Sequence, residues 1–375
     1  MSFLTKELTL PKLRAPQLRA PDLSRRKSRT AAATGRRGTA VVGLDIGATQ
    51  AIAAEAAISD GAIVARRVVA RPLPGGLVHD GLVTQPEALA RELRALFSAH
   101  RLGRRVRVGL ATPRTILRVI DLPPLDESDV PAAIALQARD RIPMPLESAV
   151  LDHQTVGLVD THDGQRLRVV VVATERAGVD ALLDALRQAD LRPQGIDLSV
   201  FAAMRAVASA DSGAGPVLHA QLGDLVNIAI ADGGICHFTR QAPQGLALVL
   251  DRLAEERECT TEDALALLRG AAGDEAGADR AREVGKVLGR IADELGSELR
   301  AAAEFFETQS GEAVSAGVIT GSLAPLRGFV EALSDASGLD LRCGAVSAEA
   351  AESLGGVDAS AAPVAVGLAI GALPR

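Results

Sequence analysis

Strand-like and helix-like patterns of apolar residues alternate along the first third of the chain. A β-branched run spans residues 39–46, and two further strand-like runs follow it around an Asp60-Gly61 turn. Apolar residues then recur at helical spacing from Pro86 to Arg101, and RVRVGLAT, beginning at Arg105, returns to a strand pattern. Three strands, a helix and a strand predict the opening of an α/β domain over residues 39–114.

Residues 115–195 follow a different order. A strand-like run begins at Thr115, an amphipathic helix is predicted over Glu127–Arg141, and the prolines of RIPMPLE end that helix. The run QRLRVVVVAT predicts a buried strand, and residues 176–190 predict a second amphipathic helix. These pieces predict a small α+β subdomain inserted into the larger domain.

The opening pattern recurs after a helix predicted near residues 201–208. The runs VLHAQLGD, LVNIAIADGG and ICHFTR again give three strands, with Gly223 in the place of Gly47 and Asp232-Gly233 in the place of the first Asp-Gly turn. We interpret this repeat as an internal duplication. Residues 196–375 then hold the rest of the first half and the second half, with helices predicted at 246–258, 261–269, 278–309, from 323 and at 361–373, and a strand at AGVIT.

Composition narrows the functional classes. A chain of 375 residues is long enough for two lobes. It has no Trp or Tyr and only seven Phe, which argues against base stacking and against a nucleic-acid partner. Its three cysteines lack metal or redox spacing, its six histidines are scattered, and no apolar run approaches the roughly 20 residues of a membrane span. We therefore expect an intracellular protein without a metal centre of the Cys/His type.

Charge is distributed unevenly. Residues 1–38 hold ten Lys or Arg and two Asp or Glu. The other residues hold 31 basic and 45 acidic side chains and therefore carry a net charge of about −14, although the whole chain carries only −6. Prolines within this basic segment resist helix and sheet, and we predict a disordered arm. A solvated leader without a partner and a segment that touches anionic lipid headgroups explain it equally well.

The loop GLDIGATQ, residues 43–50, is the sharpest chemical signal. A strand that ends in a tight turn points backbone N–H groups at a phosphate, and Asp45 suits Mg²⁺ through water. Alone, it also fits an ordinary hairpin with a buried aspartate. The repeated hairpin and the AGVITGSLAPLRGF stretch supply two more loops, and the candidate nucleotide-binding residues are Asp45, Gly47, Ala48, Thr49, Gln221, Gly223, Thr320, Gly321 and Ser322.

Three such loops in this order resemble the actin, sugar kinase and Hsp70 superfamily. Within it, RVIDLPPLDESDVPAAIALQARDRIPMPLESAVLDHQTV, ALLDALRQADLRPQGIDLSVFAAMRA and EFFETQSGEAVSAGVITGS resemble the PilM family of type IV pilus assembly proteins and, more distantly, the division protein FtsA. The resemblance implies a duplicated, actin-like (ribonuclease H-like) two-lobe fold with an inserted α+β subdomain. It also implies a cytoplasmic protein, peripheral to the inner membrane, that links the pilus assembly platform to its motor.

The resemblance also implies a partner. In the family, the N-terminal peptide of a PilN-like single-span membrane protein docks in a groove between the inserted subdomain and its parent domain. Residues 115–195 would form one wall of that groove. The strand with alternating Ile116, Arg118 and Ile120 could offer an edge to an extended peptide.

Departures from the family pattern lie in the nucleotide loops. Ile52 stands where the family has a lysine, Gln221 where it has an acidic residue, and Ala301 where it turns an arginine toward the nucleotide; Asp224 is out of register for the acidic role. Thr320-Gly321 stand where the family has the paired glycines of its adenosine loop. Losing such groups predicts weak or absent binding of ATP and Mg²⁺ and negligible hydrolysis. The alternatives are a register shift of a residue or two and a nucleotide held by backbone donors alone.

Two other functions remain open at the sequence level. In a working ATPase, Asp45 would hold magnesium and Gln221 would position water. A filament-forming relative of FtsA would normally end in an amphipathic membrane helix, and the terminal ALPR argues against it.

Overall fold

The computed structural model describes residues 41–59, 62–161, 164–207, 215–232, 235–271, 278–349 and 351–371. The predicted basic arm, residues 1–38, lies outside these ranges, as do Asp60-Gly61 and Gly233 of the two predicted turns. No helix in the described ranges is both long and apolar enough to cross a bilayer.

The first sheet opens with an antiparallel meander, as the alternating pattern predicts. Its elements are β1 (Val42–Ile46), β2 (Gln50–Ser59), β3 (Ala62–Pro72), β4 (Val78–His79), β5 (Leu82–Val83), α1 (Pro86–Ala99) and β6 (Arg105–Leu110). β2 pairs with β1 and β3, and β6 lies parallel to β1. α1 covers this sheet because Leu89, Leu93 and Leu96 share one helical face, which is buried in the first core.

A separate three-stranded sheet follows. Its elements are β7 (Thr115–Leu122), α2 (Val130–Arg141), β8 (Ala149–Thr161) and β9 (Gly164–Glu175). The strands are antiparallel in the order β7-β9-β8, so β7 and β8 are both edge strands. Ile120 and Val169 pack against Ile134 of α2 on one face, while Leu117 and Val170 face Val200 on the other. An inserted module of different topology is therefore present.

The C-terminal end of the inserted module differs from the predicted residue 195. The next elements are α3 (Arg176–Gln188), β10 (Arg192–Leu198) and α4 (Ser199–Val207). β10 pairs parallel with β6 in the first sheet, and α3 buries Leu182 and Leu186 in the same core as α1. The separate sheet thus ends at Glu175. Amphipathic periodicity predicts α3 but does not say which sheet it covers.

The second lobe repeats the first. Its elements are β11 (Val217–Leu222), β12 (Val226–Asp232), β13 (Ile235–Ala242), α5 (Leu246–Arg257), α6 (Thr261–Ala271), α7 (Ala278–Ser310), β14 (Ala316–Gly321), α8 (Phe329–Ser337) and β15 (Asp340–Cys343). The sheet order is β13-β12-β11-β14-β15. Its helices cover one face, where Leu218, Ile228 and Leu295 are fully buried.

The chain then returns to the first lobe. β16 (Ser347–Ala348) pairs with β3, and α9 (Pro363–Ile370) is buried throughout and packs on β1 and α4. The first sheet therefore reads β10-β6-β1-β2-β3-β16. Each of the two sheets contains an antiparallel meander of three strands, and two further strands lie beside the first strand of the meander and parallel to it. This shared arrangement confirms the predicted duplication.

Candidate nucleotide cleft and peptide groove

The first candidate loop joins β1 to β2. Gly47 donates its N–H to the carbonyl of Gln50 at 2.9 Å, which closes the turn. Asp45, one residue before the end of β1, lies opposite Ile52 in the ladder. Burial and then the nearby Asp224 carboxyl raise the pKa of Asp45 to about 7, against the opposing effect of the Ile46 N–H. Asp45 is thus a half-buried carboxyl whose pKa the surrounding loops raise to about 7.

The second loop joins β11 to β12 and places Asp224 against the first loop. The Asp224 Oδ2 accepts the N–H of Ala48 at 2.6 Å. Burial raises the pKa of Asp224, and the Ala48 N–H partly offsets that rise. Asp224 therefore lies in the cleft, although whether it takes the acidic role that its register argues against stays a prediction. The contact joins residues 176 positions apart, so its geometry depends on how the two lobes meet.

The third loop follows β14 and is tied to the second. Gly321, with a φ of +104°, donates its N–H to the Ser360 carbonyl at 2.7 Å. Ser322 bonds the Leu222 carbonyl through both its N–H, at 2.9 Å, and its hydroxyl, at 3.1 Å. A Cβ on Gly321 would fall 2.3 Å from the same carbonyl oxygen, so only glycine fits this position.

These loops surround one cleft of about 70 Å³. Seven of the nine candidate residues line it: Asp45, Gly47, Thr49, Gln221, Gly223, Gly321 and Ser322. Ala48 contributes only its bonded N–H to the loop contact, and the side chain of Thr320 is buried in β14. The described lining includes Asp45 and Asp224 but no Lys or Arg.

Gln221 belongs to a chain of hydrogen-bonded side-chain amides. Asn227 donates its Nδ2 to the Gln221 Oε1 at 2.9 Å, and Gln241 donates its Nε2 to the Asn227 Oδ1 at 2.7 Å. Gln221 and Asn227 are each 6% exposed. Sequence reasoning identified neither Asn227 nor Gln241, because the alternate polar positions of β12 and β13 also fit a solvated sheet face.

The cleft suits a magnesium ion better than it suits a nucleotide. Two carboxylates suit Mg²⁺, which prefers oxygen ligands. A triphosphate fits poorly, because the described lining provides no cation and the N–H groups of Gly47, Ala48 and Ser322 already have protein acceptors. The cleft is also smaller than the roughly 300 Å³ at the lower end of small-molecule sites.

A larger groove of about 380 Å³ opens between the inserted sheet and the rest of the chain. Thr115, Ile116, Leu117 and Arg118 of β7 form one wall, and the other residues that line the groove are Leu110, Pro113, Pro143, Leu198, Val200, Asn227, Ile228, Thr239, Arg240 and Gln241. Among the strands that the structure describes, β7 pairs with β9 alone and β13 with β12 alone, so the groove lies between two strand edges.

Two comparisons place this architecture among known proteins. The sequence profile described as "Type IV pilus assembly protein PilM" matches residues 43–370. The chain belongs to the PilM family. A solved "PilM-PilN type IV pilus biogenesis complex" is similar at 25% identity and a TM-score of 0.77, covering 90% of this chain and 99% of that one.

A more distant structure shares the fold. The ethanolamine utilization protein EutJ from Carboxydothermus hydrogenoformans is 15% identical with a TM-score of 0.54, covering 89% of this chain and 90% of that one. Together with the duplicated sheets, these likenesses establish the actin-like fold. The expected fold class and family are both confirmed.

The positions at which this PilM-family chain departs from the expected pattern have structural explanations. Ile52 is 4% exposed and packs with Ala54 and Val366 in an apolar cluster. Arg300, one residue before Ala301, donates its Nε to the Ser337 carbonyl at 3.1 Å and also bonds the Ala336 carbonyl. Arg300 therefore caps the C-terminal end of α8. A one-residue register shift does not bring this arginine into the cleft.

One predicted groove residue is misplaced. Ile120 is fully buried beneath α2 and does not line the groove, whereas Ile116 and Arg118 do. Arg118 donates its Nε to the Arg141 carbonyl at 3.3 Å, which satisfies an acceptor at the end of α2. Alternation along β7 puts Ile116, Arg118 and Ile120 on one face, but α2 covers only part of that face.

Proposed function

We propose that this pilus assembly protein is a cytoplasmic scaffold that holds the N-terminal peptide of a PilN-like inner-membrane protein in the groove beside β7. The observation that carries the proposal is the groove itself, which has a volume of about 380 Å³ and an open strand edge along one wall. The similar structure is of a PilM protein in complex with PilN, which supports the same class of partner.

The groove has the chemistry for an extended peptide. β7 is an edge strand, and a peptide can pair with an edge strand as an added strand if it displaces the Arg118 side chain from the Leu117 carbonyl. Ile116, Leu198 and Val200 offer apolar surface for alternate side chains, while Asn227 and Gln241 provide polar groups on the opposite wall. No catalytic group is needed for this mode of binding.

We infer that the nucleotide cleft binds ATP and magnesium weakly and does not turn ATP over efficiently. The acidic lining, the use of the Ala48 N–H by Asp224 and the small volume support this inference. The cleft would then serve to hold the two lobes together. Asp45 remains the candidate magnesium residue, and the other cleft residues remain candidates for nucleotide contacts.

Location follows from the proposed partner. A protein held by the cytoplasmic peptide of a membrane-spanning protein is peripheral to the inner membrane and can connect the assembly platform to its motor. The ten basic residues of 1–38 support a second, electrostatic contact with anionic headgroups.

Peptide binding is tested by calorimetry with the cytoplasmic N-terminal peptide of a PilN-like single-span protein from the same genome. Ile116→Glu puts a charge on the apolar wall, and we expect it to weaken binding at least tenfold, since burying an unpaired charge costs more than about 1.4 kcal/mol. Leu158→Glu is the matched control, because Leu158 is 55% exposed on β8, the other edge of the same sheet.

The unaltered protein should bind the peptide, and the control should bind it equally well. No binding by the unaltered protein, or equal affinity of Ile116→Glu and Leu158→Glu, would contradict the groove as the docking site. Far-ultraviolet circular dichroism of each variant checks that the inserted sheet remains folded.

A further inference from the structure

One end of the first sheet is rich in arginine. The N-terminal ends of β6 and β10 lie side by side, with Arg192 opposite Arg105 in the ladder, and the C-terminal ends of α1 and α3 lie next to them. Six exposed arginines gather there, and we call them the arginine face: Arg94, Arg101, Arg104, Arg105, Arg187 and Arg192.

The arginine face carries more positive charge than its own structure uses. Two of its members have carboxylate partners, Asp190 for Arg104 at 3.4 Å and Asp184 for Arg187 at 2.6 Å. Arg94 and Arg104 also donate to main-chain carbonyls at the end of α3, which is an ordinary capping role. Six arginines against two carboxylates leave a local surplus of four positive charges.

Three members are not explained by capping. Arg101, Arg105 and Arg192 have no carboxylate within salt-bridge distance among the described residues. Arg105 bonds only the side-chain amide of Gln194, at 2.7 Å, and its charge is not neutralised. Outside residues 1–38 the chain is acidic, at about −14, so this basic surface is a local exception.

The first described strand begins at this same end. Val42 at the start of β1 lies opposite Val106, the residue after Arg105, in the parallel β1–β6 pair. In the sequence, β1 is preceded by residues 1–38, which hold ten basic and two acidic residues. The folded lobe therefore carries a basic surface of its own in addition to the basic composition of that segment.

We propose that the arginine face binds the anionic headgroups of a lipid bilayer and sets the orientation of the first lobe on the membrane. Guanidinium groups bond phosphate oxygens in pairs, and each basic residue near an anionic surface strengthens binding about fivefold. A lipid surface fits better than nucleic acid, because the chain has no Trp or Tyr to stack on bases and the arginines lie at a sheet end rather than in a groove.

This orientation is compatible with a peptide in the groove. Leu110, at the far end of β6, lines the groove, whereas Arg105, at the near end, belongs to the arginine face. The six residues of β6 span about 20 Å, so about six extended residues of a membrane-anchored peptide cover that distance.

The test uses the full chain and flotation with equimolar phosphatidylglycerol–phosphatidylcholine vesicles, with pure phosphatidylcholine as the neutral surface. The variant R101E/R105E/R192E should lose anionic-vesicle affinity by about a hundredfold or more, from about fivefold for each residue. The control R139E/R269E/R327E makes the same charge change at three exposed arginines elsewhere on the surface, and its affinity should change far less.

Several results would overturn the proposal. The first is that the unaltered protein shows no preference for anionic vesicles. The second is that the two triple variants lose affinity equally. The third is that deletion of residues 1–38 by itself abolishes binding, which would show that the arginine face does not contribute. Tighter binding of duplex DNA or polyglutamate through the same arginines would identify another partner. If R101E/R105E/R192E does not fold, R101Q/R105Q/R192Q replaces it, with an expected loss of at least tenfold.

Discussion

Asp45 and Asp224 are two half-buried carboxyl groups that line the cleft. Each pays a desolvation cost when it ionises, and for Asp45 the neighbouring Asp224 adds repulsion. Asp224 recovers part of this cost through the Ala48 N–H. The pair therefore gives the loop region a negative charge that depends on pH. Negative charge disfavours the binding of a triphosphate and favours the binding of a divalent cation.

Stability should fall as pH rises because of Asp45. The unfolded chain releases this proton near the ordinary pKa of 3.8, whereas the folded protein retains it to about 7. Between these values the folded state binds more protons, so the free energy of unfolding decreases with rising pH, by about 1.36 kcal/mol for each unit of pKa difference. Asp45→Asn should remove this part of the decrease, as measured by urea unfolding at pH 5 and pH 8. Asp126→Asn, at an exposed position, serves as the control, and equal pH dependence of Asp45→Asn and the unaltered protein would contradict the prediction.

Asp224 distinguishes a weak cleft from a working ATPase. Asp224→Asn keeps an oxygen that can accept the Ala48 N–H but removes a buried negative charge. We expect the affinity for ATP, measured by calorimetry without magnesium, to rise at least tenfold, since unit charges about 4 Å apart repel by about 4 kcal/mol at an effective dielectric constant of 20. In a working ATPase, where the carboxylate would hold magnesium, the same change would weaken the binding of magnesium–ATP. Magnesium-dependent hydrolysis by the unaltered protein that Asp45→Ala abolishes would also contradict the proposed weak cleft.

At the scale of elements, α9 is the piece that closes the first lobe. It returns from the second lobe and packs on β1 and α4 through small residues. A Cβ on Gly43 of β1 would fall 1.9 Å from the Ala365 carbonyl oxygen, and one on Gly367 would fall 1.8 Å from the Ala202 carbonyl oxygen. The two glycines therefore allow backbone to approach backbone, and main-chain atoms cannot move aside as a flexible side chain can.

Gly43→Ala should destabilise the protein by about 3 kcal/mol or more, because the inserted methyl group overlaps main-chain atoms of α9. The matched control is Gly285→Ala in α7, where a Cβ meets no atom within 4 Å. That change should stabilise the protein by about 0.5–1 kcal/mol through lower unfolded-state entropy. Chemical denaturation measures both values, and equal effects of the two substitutions would show that α9 does not pack tightly on β1.

At the scale of the whole molecule, the duplicated lobes meet around the cleft. The Ala48–Asp224 hydrogen bond ties the first loop to the second, and the bonds of Ser322 to Leu222 tie the third to the second. Asn227 lines both the cleft and the groove, so the two candidate sites share a wall. The arginine face lies at the other end of the first sheet. The partner peptide would therefore bind in the groove beside β7, and the membrane surface would bind at the opposite end of the first sheet.

The sequence predicted the periodic elements well. The meander of β1 to β3, the helix α1 and the repeated meander of β11 to β13 follow from local patterns of apolar residues, because each buries one face on its own sheet. β8 was not predicted from its pattern, since it is a half-exposed edge strand with polar residues on both faces. α3 was predicted as a helix but assigned to the inserted subdomain, since periodicity does not identify the sheet that a helix covers.

Local sequence determined which residues occupy the cleft, and only tertiary structure decided how they interact. Seven of the nine candidate residues lie together because turns after buried strands place them at the same sheet ends. The contact of Asp224 with Ala48, the capping role of Arg300 and the burial of Ile120 under α2 depend on atoms from distant segments. Backbone turns are encoded within a few residues, whereas side-chain partners, burial and pKa depend on the packing of whole lobes.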